Sequence, residues 1–486
     1  MVRISACAGL LLMAPLGVSA SAAPEVPAAA FAALPQVSDV ELSPDAQLVA
    51  WYDRSGPDAK VVIFDLAAKN YRRTLRIDPA TVPRSLLWAD DETLLVNLSE
   101  VRKAPVPGEP LYDYSRSLAV DVASGDSRML LMAGGERAFV TAADLLAWHT
   151  AQPHTVIMAS WDYSANAARV ETGTRLVAGR EAAGWVGELF QVDTRTGKGT
   201  LIDQGGPFAW QWVVDTQGAP VARSQWHPVE KKYLLEARAG KGWRTIYERD
   251  DGALLTLWEV SADGKNVVAT GPGKDGRIGL WAIALDGSGM KDLLPEVTTD
   301  VLSIVSDNFS GAPVAARLGG PQPAVHWIDA AAEARYESLA HAFPGREVTI
   351  SSRSQDASRL VVEVRDSSHP PVYYLVDFNT HRADIVGEAY PALDSVALGT
   401  VQSITYKARD GTSIPAYLTL PPGAAPKGLR MVVLPHDGPE SSDAPEFNWL
   451  AQFLATRGYA VLQPEFRGST GFGAAFERAG LRQWAV

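Results

Sequence analysis

Between about Gln36 and Pro391 one pattern returns at an interval of about 46 residues: a polar turn, an apolar strand, a gap, then a second strand ending in aspartate and another turn. A unit of this size cannot bury its apolar face alone, so copies of it must stack side by side. The turns read Ser43-Pro44-Asp45-Ala46, Ala89-Asp90-Asp91-Glu92, Asp215-Thr216-Gln217-Gly218, Ser261-Ala262-Asp263-Gly264, Ser306-Asp307-Asn308 and Ser354-Gln355-Asp356-Ala357, with a weaker one at Gln152-Pro153-His154. Strands rich in β-branched residues follow them: Leu48 to Tyr52, Thr93 to Leu98, Val156 to Ser160, Val267 to Thr270 and Leu360 to Val364. The second strands include Val61 to Asp65, Leu118 to Asp121, Leu189 to Asp193, Val325 to Asp329 and Tyr373 to Asp377. Such units form four-stranded blades, and seven starts predict an all-β, seven-bladed β-propeller. The wider spacing between residues 89 and 215 leaves room for an eighth blade.

Composition agrees with many short strands. The chain has 486 residues, 47% hydrophobic and 21% charged, with 41 Gly and 32 Pro to punctuate it. The recurring Asp and Gly are turn formers, and Trp51, Trp88, Trp210, Trp212 and Trp327 read as blade packing. A net charge of −12, with no long Lys/Arg run, excludes nucleic acid and an anionic membrane as default partners. Eight His without an H-E-x-x-H pattern or paired ligand spacing predict no metal site, and no cofactor is expected.

The first 23 residues combine Arg3, an apolar run from Ala6 to Val18 and small residues at Ala20 to Ala22, the pattern of a secretory signal peptide. The chain is therefore expected in an exported, periplasmic or secreted compartment, as a soluble protein. The lone Cys7 falls inside that segment, so no disulfide is expected.

The character changes after the repeats. Val401 to Tyr406 and Ile414 to Leu420 alternate around Arg409-Asp410-Gly411-Thr412, which predicts an antiparallel hairpin. Met431 to Leu434 is continuously apolar, as in a buried parallel strand. A helix around Phe447 to Thr456, closed by Arg457-Gly458, and a strand from Tyr459 to Gln463 follow it. The loop Arg467 to Gly473 lacks G-K-[ST] and the G-x-G-x-x-G spacing, so it is not a nucleotide loop.

The stretch LPHDGPESSDAPEFNWLAQFLATRGYAVLQPEFRGSTGFGAAF, after a propeller and a hairpin, resembles the prolyl oligopeptidase family, nearest its acylaminoacyl peptidase and dipeptidyl peptidase branches. The expected division is a signal peptide at 1–23, a propeller at 24–395 and, as the resemblance implies, the N-terminal part of an α/β-hydrolase domain at 396–486. It also implies serine-type hydrolysis of short peptides by a triad in chain order Ser, Asp, His. No G-x-S-x-G occurs, so none of the triad is assigned, and the hydrolase domain is expected to be truncated and inactive alone. Met431 to Leu434 would then be an open edge and the residual segment only marginally ordered. A non-catalytic, peptide-binding propeller and a non-functional remnant are the alternatives.

The family's H-G-G-P turn matches His436, Asp437, Gly438 and Pro439. It implies a backbone N–H donor to an oxyanion at Gly438, with Asp437 in place of the usual first glycine. His436 precedes any nucleophile, which suits a structural or pocket-lining role rather than that of the base. Arg467 opens the loop that packs beside the active site in this family. Ser441 and Ser442 are expected to cap the following helix.

Overall fold

In the computed structural model, most of the predicted strand pairs form the middle of small antiparallel sheets; the strand predicted from Val325 to Asp329 is instead an outer one and ends at Trp327. The structure describes residues 26–103, 111–131, 143–163, 185–206, 208–320, 323–438 and 440–483. The predicted signal peptide and Cys7 lie outside these, as does Pro439. Leu48–Asp53 pairs with Lys60–Asp65, Arg359–Asp366 with His369–Asp377, and Thr155–Tyr163 with Trp185–Asp193. One further strand flanks each pair on either side, giving sheets such as Val37–Leu42, Leu48–Asp53, Lys60–Asp65 and Asn70–Arg76.

Among the described residues, seven such sheets precede residue 395, six with four strands and one with three. In the three-stranded sheet, Val301–Ser306, Pro313–Leu318 and Ala324–Trp327, the helix Ala330–Ala342 follows the last strand. Asp329 caps that helix, its carboxylate accepting from Ala332 N–H at 2.7 Å. Trp327 packs against Tyr336 of the helix, ring centroids 5.0 Å apart.

Where a second strand closes on aspartate ahead of a turn, that aspartate works as the turn former. Asp193 Oδ1 accepts from the N–H groups of Arg195 and Thr196, both at 2.9 Å, and Asp377 Oδ1 does the same for Asn379 and Thr380. Gly197 then takes φ 71°, a left-handed position that glycine occupies without a Cβ penalty.

Apolar side chains join consecutive sheets. Tyr52 and Ile63 of the first pack with Leu86 and Val96 of the second, and Val213 and Tyr233 of the fourth pack with Leu257 and Val267 of the fifth. Val40 and Val49 of the first sheet pack with Val361 and Tyr373 of the last, so the series returns on itself. Side chains on the first strands reinforce these junctions: Ser352 Oγ accepts from Leu42 N–H at 3.0 Å and Gln211 Oε1 from Leu257 N–H at 3.0 Å. Trp51, Trp88 and Trp212 are core residues, as expected. Trp210 departs from expectation: it is half-exposed, because a β-bulge between Ala209 and Gln211 leaves it unpaired with the neighbouring strand and breaks the alternation there.

The eighth sheet is mixed, in the order Thr400–Lys407, Ser413–Leu420, Tyr459–Pro464, Arg430–Val433. The first three strands are antiparallel in succession, and Arg430–Val433 runs parallel to Tyr459–Pro464 across the helix Trp449–Ala455. Asn448 caps this helix, accepting from Leu450 and Ala451 N–H at 3.1 and 3.0 Å. The expectation of a cap from Ser441 or Ser442 is thus corrected: the helix starts too late for either to reach it. Arg430–Val433 is an edge, and Met431 and Val433 are each 54% exposed. The apolar run therefore forms a parallel strand as predicted, but not a buried one.

The chain's start packs on this segment. Phe31 meets Phe453 edge-on with centroids 5.8 Å apart, while Arg457 donates to Val26 O at 2.9 Å and covers the Phe453 ring.

Candidate active site

The strand Arg430–Val433 delivers the turn that follows it. Leu434 N–H still bonds to Leu462 O at 2.8 Å, after which the chain leaves the sheet at His436. Gly438 sits at φ 71° with open space where a Cβ would lie, so its conformation rather than crowding calls for glycine. Asp437 keeps an ordinary negative φ, so a side chain there costs no backbone strain. Both residues are exposed, and among the described residues the Gly438 N–H meets no acceptor. An exposed, unpaired N–H on a turn suits a developing negative charge.

His436 faces inward. Its ring is stacked on Phe466, centroids 4.4 Å apart and planes 19° from parallel. Nε2 lies 2.8 Å from Ser469 Oγ and 3.5 Å from Glu465 Oε2, with the His436 and Glu465 side chains 5% and 0% exposed. Glu465 Oε1 accepts from Asp443 N–H at 2.8 Å. Burial pushes the Glu465 carboxyl up to about 7, and the neighbouring Asp443 adds to the rise.

Serine, histidine and glutamate thus converge, but not as a catalytic triad. A triad places serine and acid on opposite ring nitrogens with the serine open to substrate. Here both approach Nε2, Nδ1 has no partner among the described residues, and Ser469 is fully buried. The cluster holds the turn; it does not attack. Its signal in the sequence was weak, because Ser469 stands in a loop that reads only by its glycines and Glu465 just ahead of it, outside any motif.

Arg467 turns away from His436. Its guanidinium bonds to Asp410 and, at 3.0 Å, to Thr412 Oγ1, so it ties the loop to the hairpin turn. Beyond it the loop docks on the fifth and sixth sheets. Gly473 N–H donates to Asp300 Oδ2 at 2.6 Å, while Asp300 Oδ1 accepts from Ile278 N–H at 2.9 Å. Gly471 meets Gly319 backbone to backbone, since a Cβ on Gly319 would lie 2.6 Å from Gly471 O.

A second bridge reaches the seventh sheet. Gln452, fully buried, accepts from Gly399 N–H at 2.7 Å and donates to Gly399 O at 3.0 Å and Ser367 O at 2.7 Å. Glu446 pairs with Arg365 at 2.8 Å. The candidate turn is therefore carried by a segment tied to the propeller-like sheets on two sides.

The sequence pattern of the prolyl oligopeptidase family matches residues 445–486. A dipeptidyl aminopeptidase BIII from Pseudoxanthomonas mexicana is 25% identical over 460 residues, covering 93% of this chain and 62% of its own. The chain thus spans about three fifths of that relative's length. Among solved structures, the Pyrococcus horikoshii acylaminoacyl peptidase superposes with a TM-score of 0.57 at 14% identity, covering 93% of this chain and 68% of that one. Prolyl oligopeptidase B from Galerina marginata gives 0.61 at 14%, covering 93% and 64%. The fold is that of a propeller joined to a hydrolase domain.

Proposed function

Because the chain belongs to the prolyl oligopeptidase family, we propose that it supplies the substrate-restricting propeller and the oxyanion turn of an exported serine peptidase acting on short peptides. The seven sheets, with the first packed on the last, support reading the ring as seven-bladed. The observation that carries the peptidase reading is the exposed Gly438 N–H, which lacks an acceptor among the described residues and sits at φ 71° beyond a parallel strand of a hydrolase-type sheet. A donor so placed stabilises the tetrahedral oxyanion of acyl transfer by about 2.7–4 kcal/mol. The Asp300 and Gln452 contacts tie this segment to the propeller, which supports the reading that the propeller restricts entry to small peptides.

A nucleophile elbow must complete the chemistry, since no G-x-S-x-G lies within these residues. The decisive experiment is fluorophosphonate labelling with a dipeptide-releasing substrate assayed in parallel. A polypeptide of just these residues should take no label and release no product, whereas one continuing into an elbow should do both. Labelling of the 486-residue polypeptide would overturn the assignment. Saturable peptide binding without turnover in the longer one would favour a binding propeller instead.

A further inference from the structure

The buried cluster beneath the turn has more structure than anchoring requires. His436 Nδ1, Glu465 Oε2 and Asp443 Oδ2 are all buried, and none has a hydrogen-bond partner among the described residues. Buried polar groups are ordinarily paired, and unpaired ones mark strain or a function. Here they cluster directly behind the turn that carries the exposed Gly438 N–H. Ser469 and the Glu465 carboxyl meet at the same ring nitrogen: the Ser469 hydroxyl is 2.8 Å and Glu465 Oε2 3.5 Å from His436 Nε2, and a hydroxyl turned to the carboxyl favours its charged form.

We propose that Glu465 is the positioning residue of the oxyanion turn: acting through Ser469 it sets the tautomer and orientation of His436, and thereby the direction of the Gly438 N–H. The inference rests on reading Gly438 as the oxyanion donor. A hydroxyl accepts one hydrogen bond while donating another, so the relay has a direction. With Glu465 ionised, Ser469 donates to the carboxylate and accepts from His436 Nε2–H. With Glu465 protonated, the carboxyl donates to Ser469, the hydroxyl turns to donate to Nε2, and the ring carries its proton on Nδ1. His436 is followed directly by Asp437 and Gly438. Stacking on Phe466 limits how far the ring can move without carrying the turn with it.

The titratable groups facing Glu465 are few. They are His436 on the turn, Asp443 on the loop before the helix and Tyr417 on the hairpin, with Arg467 turned away onto Asp410. Desolvation raises Tyr417 to about 12, so it stays neutral through the range in which Glu465 changes charge. Asp443 opposes ionisation of Glu465, and among the described residues no lysine or arginine faces the carboxyl to favour it.

The test follows the His436 ring and the Gly438 amide by NMR in selectively labelled protein between about pH 5 and about pH 9, a window spanning the buried carboxyl. The expected result is a change of ring tautomer and a shift of the Gly438 amide with one common midpoint near 7. Glu465→Gln should hold both constant across the range, while Glu465→Asp should restore the titration at a displaced midpoint. In Ser469→Ala the Gly438 amide should no longer follow the carboxyl. A pH-invariant Gly438 amide in the unaltered protein, or a titration that survives in Glu465→Gln, would overturn the proposal. If the amide titrates as expected yet the kcat of a polypeptide continuing into a nucleophile elbow stays flat over the same window, the positioning stands and the oxyanion assignment of Gly438 falls.

Discussion

Replacing Gln452 with leucine should loosen the joint between hydrolase segment and propeller more than any surface change could. The side chain is fully buried and makes three hydrogen bonds, two to the backbone of Gly399 and one to Ser367 O. Leucine fills a similar volume but pairs with none of them. Each buried backbone group left without a partner costs about 1–3 kcal/mol. Water cannot readily replace the amide at Gly399, since even a Cβ there would lie 2.4 Å from Leu420 O and 3.0 Å from Ala455 Cβ. Ser367 O is only partly buried and recovers some solvation. The sum is about 3–5 kcal/mol, a large share of the roughly 5–15 kcal/mol that holds a domain together. Urea denaturation followed by far-UV circular dichroism and Trp fluorescence should show a lower midpoint, with the hydrolase segment melting before the sheets. Gln452→Glu keeps the acceptor for Gly399 N–H but sets a buried carboxyl oxygen against the Gly399 and Ser367 carbonyls, so it should also destabilise, more as pH rises. A loss below about 1 kcal/mol for Gln452→Leu would refute the view that this residue is a principal tie.

Three further tests address other contacts. Gly319→Ala places a methyl 2.6 Å from Gly471 O, so the loop must retreat; a cost of about 1–3 kcal/mol and faster exchange of the Gly473 amide are expected, and unchanged Gly473 protection would contradict the docking. Burial raises the carboxyls of Asp39 and Glu465 to about 7 and Glu259 to about 8. These groups bind protons in the fold that they release when unfolded, so stability should decline as pH rises from the ordinary carboxylate range to about 8. Denaturation midpoints measured across that range should show it, and Glu259→Gln should flatten the slope. At the sheet edge, Leu434 N–H points to the neighbouring strand and alternation turns the Met431 and Val433 N–H groups outward. Hydrogen exchange should be slow at Val432 and Leu434 and fast at Met431 and Val433, and slow exchange at Val433 would mean that this edge is covered.

The repeat was legible because its parts are local. Strands such as Leu48–Asp53 and Tyr459–Pro464 are runs of β-branched and apolar residues, and Asp193 and Gly197 form their turn within five residues. Outer strands such as Asn70–Arg76, half in solvent and polar, carry no such signal. Ser441 was misread as a cap because capping depends on where the helix begins, which packing decides.

Sequence alone determined the order of elements, the acidic surface and the glycine that the turn at 438 requires, since propensity, charge and φ preference act over a few residues. Tertiary structure alone decided the rest. It placed Glu465 and Ser469 behind His436, and it set Gln452 and Asp300 as ties between distant segments. These are single polar side chains whose meaning comes from partners 22 to 173 positions away. Their value lies in burial, where an unpaired donor or acceptor is costly, and burial is a property of the assembled fold.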